Sequence, residues 1–135
     1  MKLTTRRQAR ELALQILFQT EFAPQISYQA LLDVFEQGVD PEVINYTDLL
    51  VTGVNGNKAA IDSKIQASSA HWKVERMATI DRNILRIAVY EMKFAQETIK
   101  ENIAINEAVE IAKKFGTTDS GSFVNGLLDQ VSKAH

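Results

Sequence analysis

Cysteine is absent from this 135-residue chain, which excludes disulfides, thiolate catalysis and Cys-based zinc sites. Histidine is scarce, with only His71 and His135, too few for a His-rich metal site. Long hydrophobic runs are missing as well. The apolar stretch from Leu12 to Phe18 is preceded by Glu11 and interrupted by Gln15. Gln19, Thr20 and Glu21 follow it, in place of a small-residue cleavage site. No run approaches the length of a membrane span, so the expectation is a cytoplasmic protein without a membrane partner. There is no linker, low-complexity tract or internal repeat. Apolar residues make up 45% and charged residues 24% of the sequence, the balance of one soluble globular domain over residues 1–135.

Acidic residues are missing from one place in particular. The first ten positions hold none, but carry Lys2, Arg6, Arg7 and Arg10, which are 4 of the 15 basic residues. From position 11 onward 11 basic residues face 17 acidic ones, a net of −6. An acidic body repels a polyanion, so a basic tip on it must act locally, on a phosphate-rich partner gripped at one end.

Sustained strand alternation is also lacking, and the periodicity is helical throughout. Residues 5–22 are predicted as a first helix with Thr4 or Thr5 as N-cap. Ala9, Leu12, Ala13, Ile16 and Leu17 form its core stripe. Leu14, Phe18 and Phe22 form a second stripe, either buried between two layers or meeting a partner protein at its end. Pro24 ends the segment. Ser27 caps a second helix, from Tyr28 to Gln37, and Gly38 stops it in the left-handed position. Asp40-Pro41 opens a helical region running to about residue 70, which Gly53 and Gly56 leave as one bent helix or two.

The apolar segment Ile80 to Met92 predicts a central helix. Residues 103–115 predict another, with Lys113 and Lys114 in the last turn and Gly116 after it. Thr118 or Asp119 caps a final helix bearing Phe123, Val124, Leu127, Leu128 and Val131. The expected fold is all-α, a compact bundle of about six or seven helices.

On the first helix Arg6 and Arg10 stand at i and i+4 and share a face, with Arg7 about 100° round. Guanidinium groups in that arrangement suit phosphate oxygens. The bland alternative is a solvated first turn with an Arg7–Glu11 pair. Positive charge is disfavoured at a helix N-terminus, so the placement asks for another cause. Catalytic signatures are wanting. Gly53-Val54-Asn55-Gly56 lacks the lysine and strand context of a phosphate loop. Ser68, Ser69 and His71 read as a helix terminus, and Glu107, Glu110, Asp119 and Asp129 have no placeable partner. The reading is a non-enzyme with no cofactor.

Three stretches go further: RRQARE at residues 6–11, ILRIAVYEM at 84–92, and AINEAVEIAKKFG at 104–116. The last continues into TTDS at 117–120 and FVNGLLD at 123–129. In matching order, and over essentially the whole chain, they resemble the bacterial NusB family of transcription antitermination factors. The resemblance implies an all-α fold of two small helical subdomains. It also implies binding of boxA, a single-stranded RNA element of ribosomal RNA transcripts, together with the ribosomal protein NusE. The pair then joins an RNA polymerase complex that resists termination.

Carried over residue by residue, the resemblance puts the arginine-rich helix start on Arg6, Arg7 and Arg10, with Lys2 ahead. Gln8 stands where the family often has a third consecutive basic residue. A second RNA-facing patch falls on Asp119, Ser120 and Phe123. Physically, Asp119 is either a plain N-cap or an acceptor for a base amino group, and Phe123 either core or a stacking face. The NusE-facing side maps to Phe18, Glu75 and Asp81, two acids near an aromatic anchor, suited to a basic ribosomal protein. Contact of the four basic residues with about four phosphates predicts a log–log salt slope near −3.

Two other readings remain. One is a NusB-like accessory domain of an RNA methyltransferase, against which the end of the sequence at His135 favours a free-standing protein. The other is a helical interaction module without an RNA role. NusB-like proteins exist as monomers or as homodimers, and a dimer would cover the arginine-rich face.

Overall fold

The computed structural model describes residues 2–134. Among them are seven α-helices and no strand, as expected. In chain order these are α1 (Leu3–Phe22), α2 (Tyr28–Phe35), α3 (Pro41–Gly56), α4 (Lys58–Ser68), α5 (Thr79–Val89), α6 (Glu101–Phe115) and α7 (Ser120–Lys133). A 3₁₀ turn, Val74–Arg76, precedes α5, and a π turn, Tyr90–Phe94, continues from it. The chain divides into two compact units, Met1–Thr52 and Gly53–His135, the division falling inside α3.

In the first unit α1 starts at Leu3, two residues before the predicted start. Lys2 occupies the N-cap without a side-chain cap, and its carbonyl already accepts from Arg6 N at 3.2 Å. At this exposed tip water can satisfy the first N–H groups, so neither threonine is needed as a cap. Ala9, Ala13, Ile16 and Leu17 of the expected core stripe are buried, Leu12 is only half-buried at its edge, and Leu14 of the second stripe is buried with the others. Leu32 of α2 and Val43, Leu50 and Val51 of α3 supply the rest of this unit's apolar interior. Each such side chain contributes about 1.5–3 kcal/mol on leaving water.

Polar bonds fix how these helices meet. Thr47, fully buried, donates to Val43 O at 2.7 Å and lies 3.4 Å from Ala9 O. Tyr28 donates its phenol to Asp48 Oδ1 at 2.5 Å, and burial together with that bond pushes the phenol pKa upward. The punctuation residues act as expected. Ser27 Oγ accepts from Ala30 N at 3.1 Å, and Asp40 Oδ1 accepts from Glu42 N at 2.8 Å. Gly38 has φ 74°, the left-handed conformation that only glycine adopts without strain. The second helix itself stops at Phe35, sooner than Gln37, because residues 36–38 already form the turn.

In the second unit α5 is central: every residue from Arg82 to Met92 is buried, and the helix contacts α4, α6 and α7. Of its two buried arginines, Arg86 is paired with Asp62 through two bonds at 2.8 and 2.9 Å. The region 41–70 is two helices broken at Asn57, whose Nδ2 donates to Gly53 O at 2.8 Å. Gly53 is needed for space, since a Cβ there would overlap the Tyr90 ring. At its far end α6 closes with Lys113 and Lys114 in the last turn and the turn 116–119 leading directly into α7, its main neighbour.

Candidate nucleic-acid interface

The first turns of α1 carry the basic residues in graded exposure. Lys2 and Arg7 are exposed and Arg6 is half-buried, whereas Arg10 is only 2% exposed. The shared face of Arg6 and Arg10 therefore runs from the surface inward. Arg6 lies over the Tyr46 ring, its guanidinium carbon 5.3 Å from the centroid, and its Nε is buried with no hydrogen-bond partner. The ring attracts the guanidinium without supplying an acceptor to its Nε. Charge at the start of α1 thus comes to the surface through Lys2, Arg7 and part of Arg6.

At the other end of α1, Phe18 is half-buried and stacks on Phe22 with ring centroids 5.4 Å apart. Phe22 is 76% exposed. The second apolar stripe is therefore buried at Leu14 and emerges into solvent at its end.

In the second unit the start of α7 is shaped by the turn before it. Ser120 is 1% exposed, and its Oγ accepts from Thr117 N at 2.9 Å. Asp119 occupies the N-cap but makes no side-chain cap hydrogen bond, so its exposed carboxylate is not used in ending the turn. Gly116 has φ −94°, and its role is close approach, because a Cβ there would overlap the Ser120 side chain. The helix-ending place expected of this glycine holds, since Gly116 is the C-cap and its N–H donates to Ala112 O, but its backbone is not left-handed and the need for glycine there is steric.

A cavity of about 210 Å³ opens here. Trp72, Arg76, Met77 and Ala78 line it from the segment ahead of α5. Asp81 lines it from α5, and Thr117, Asp119, Ser120 and Phe123 line it from the turn and α7. Three expected RNA-facing residues therefore share one cavity with Asp81, expected on the partner side. Glu75 is exposed and is not part of the lining. Phe123 is half-buried, which leaves part of its ring available beyond the core.

The cavity's near wall is fastened by buried polar bonds. Arg82 donates to the carbonyls of Val74, Glu75 and Met77 at 3.0–3.3 Å. Gln66 donates to Trp72 O at 3.1 Å and accepts from Val74 N at 2.9 Å, and Ser69 Oγ donates to Trp72 O at 2.6 Å. These bonds fix the backbone around Trp72, whose side chain is 58% exposed. Asp81 Oδ1 is buried with no hydrogen-bond partner, an unusual state for a carboxylate oxygen.

Trp72 and Arg76 escaped the sequence reading. The stretch 66–78 has weak periodicity, and its one signal was the sole tryptophan of the chain set among polar residues. Among the described residues no group of three His, Asp or Glu side chains could hold a metal ion. No helix there is long and apolar enough to cross a membrane.

The comparisons with known proteins agree with one another. The NusB family model matches residues 7–133. A transcription antitermination protein NusB of Bdellovibrio bacteriovorus is 85% identical over the full length of both chains. A protein of the same name from Citrifermentans bemidjiense is 43% identical, covering 96% of this chain and 95% of its own. Among solved structures, T. maritima NusB superposes with a TM-score of 0.87 at 36% identity, covering 96% of this chain and 92% of its own. A crystal structure of antitermination factors NusB and NusE in complex with double-stranded RNA matches with a TM-score of 0.86 at 25% identity, over 99% of this chain and 100% of its own. With the family model spanning nearly every residue and a full-length relative this similar, the chain belongs to the NusB family.

Proposed function

We propose that this chain is an RNA-binding transcription antitermination factor. In this reading it binds single-stranded boxA RNA of ribosomal RNA transcripts together with NusE, and joins an antitermination complex on RNA polymerase. It acts in the cytoplasm by binding alone, without catalysis or a cofactor. The observation that carries the reading is the exposed basic start of α1 on a chain that is otherwise acidic. A family structure solved with NusE and RNA supports it.

Lys2, Arg7 and the exposed part of the Arg6 guanidinium are the proposed phosphate contacts. Arg10 belongs to the same set through its place on the Arg6 face. Its burial makes its part the positioning of the tip. Asp119, Ser120 and Phe123 are the proposed base-side contacts, Ser120 through the turn that it shapes. Phe18, extended by Phe22, and Glu75 are the proposed contacts to NusE, with Asp81 at the border between the two functions. An aromatic anchor and acidic groups each complement a basic protein.

The test is a titration of labelled boxA RNA and a scrambled RNA of equal length, each with and without NusE. The proposal expects boxA to bind more tightly than the scrambled strand and NusE to increase the difference. Equal affinity for both strands under both conditions would refute it.

A further inference from the structure

We infer that Tyr46 is a positioning residue for RNA binding: its ring keeps the Arg6 guanidinium in place at the start of α1, so that a phosphate meets an arginine already ordered. The inference rests on the reading of that helix start as a phosphate contact, and adds to it a residue on another helix.

Tyr46 belongs to a run of three α3 residues that tie this helix to its neighbours. The Tyr46 ring lies under Arg6 of α1, with 5.3 Å from its centroid to the guanidinium carbon. Thr47 is fully buried, and its Oγ1 lies 3.4 Å from Ala9 O, about one turn further along α1. Asp48 accepts the Tyr28 phenol of α2 at 2.5 Å. Successive side chains on a helix point about 100° apart, so three neighbours in sequence can engage both helices. The Thr47 contact sets α3 against α1 at the level where Tyr46 meets Arg6.

Arg6 gains from such a support. Fixing a long, flexible side chain at an interface weakens binding by roughly two- to tenfold. A guanidinium stacked on an aromatic ring has met that cost before the ligand arrives. Arg6 Nε is already buried and the residue as a whole is half-buried, so a phosphate meets only the exposed part of an ordered group. A role for Tyr46 as a stacking face for a base fits less well. The residue is itself half-buried, and the ring face that Arg6 covers is closed to a base.

The experiment measures the affinity of boxA RNA and its salt slope for the full chain. The variants are Tyr46→Leu, Tyr46→Phe, Arg6→Ala and the double change Arg6→Ala/Tyr46→Leu. Tyr46→Leu should bind about fivefold more weakly at an unchanged slope, because the charge remains and only its placement is lost. Arg6→Ala should instead reduce the slope by about 0.7 in magnitude, the share of one phosphate contact to a single strand. Tyr46→Phe keeps the ring and should bind within about twofold of the wild type. In the Arg6→Ala background Tyr46→Leu should cause no further loss. One readout needs no variant: in the free wild type the Arg6 Nε–H should exchange slowly with water, as a fixed and buried donor does.

Wild-type affinity in Tyr46→Leu, an equal loss in the Arg6→Ala background, or a Tyr46→Phe protein as weak as Tyr46→Leu overturns the inference. Fast exchange of the wild-type Arg6 Nε–H also overturns it, and that measurement decides if Tyr46→Leu does not fold. If Arg6→Ala weakens binding and Tyr46→Leu does not, the phosphate reading stands while the role of Tyr46 falls. If Arg6→Ala changes neither affinity nor slope, Arg6 leaves the phosphate contacts and both fall.

Discussion

Ser120 occupies the space in which Gly116 would otherwise carry a side chain. A Cβ at 116 would overlap Ser120 Oγ and lie 2.8 Å from the Ala112 carbonyl oxygen. The end of α6 and the start of α7 are thereby locked at the one point where Asp119 and Phe123 are presented. Gly116→Ala should cost about 1–3 kcal/mol of stability, as overpacking does, and should weaken RNA binding by shifting α7. Adding Ser120→Gly should recover only part of the loss, because the Ala112 carbonyl remains. Urea unfolding of the single and double variants reads the coupling directly.

Ser120→Ala tests the hydrogen bond separately. It leaves Thr117 N without its acceptor, and because the bond is only part-buried and Thr117 is exposed the loss should be about 0.5–1.5 kcal/mol. The amide of Thr117 should then exchange faster with deuterium, while amides in the middle of α5 keep their protection relative to global unfolding.

Arg86 and Asp62 form an interior ion pair in the second unit, with side chains 7% and 28% exposed. Asp62→Ala removes one partner and leaves a guanidinium buried with less compensation. The expected loss is about 3 kcal/mol, at the lower end for a buried pair because Asp62 reaches water. Chemical denaturation should show a lower midpoint with an unchanged slope.

Glu101 gives the fold a pH dependence. Lys93 Nζ at 2.8 Å from Oε1, then the Ser132 hydroxyl on Oε2, holds its carboxyl below the ordinary value of 4.5. The folded state therefore binds this proton less readily than the unfolded chain. The stabilisation is complete above about pH 4.5 and is lost as pH falls through the depressed folded value. Glu101→Gln should flatten that acid limb and leave the neutral-pH shape unchanged. Thermal melts of both proteins from neutral to acid pH measure it.

Much of the fold was legible because its signals are local. Ser27, Gly38 and Asp40 act where their side-chain and backbone chemistry says they should, and four of the five residues of the α1 core stripe, all but Leu12, are buried. What was hidden depends on distant neighbours. Arginine is normally a surface residue, so the burial of Arg10 is set by packing that its own sequence context does not encode. The π turn at Tyr90–Phe94 continues α5 without a break in apolar pattern, so periodicity alone cannot mark it. The site divides in the same way. Asp119, Ser120 and Phe123 are read from one helix start, but only the folded chain brings Trp72, Arg76 and Asp81 to them.

The central claim is that the exposed start of α1 grips RNA phosphates. Burial of Arg10 reduces the expected contacts from four to about three, Lys2, Arg6 and Arg7, and the expected slope of log affinity against log salt to about −2 for a single strand. The decisive measurement is that slope for boxA RNA, in the wild type and in Arg6→Ala/Arg7→Ala. The account predicts about −2 for the wild type and a value below −1 in magnitude for the variant. Equal slopes in the two proteins would place the RNA elsewhere and contradict it.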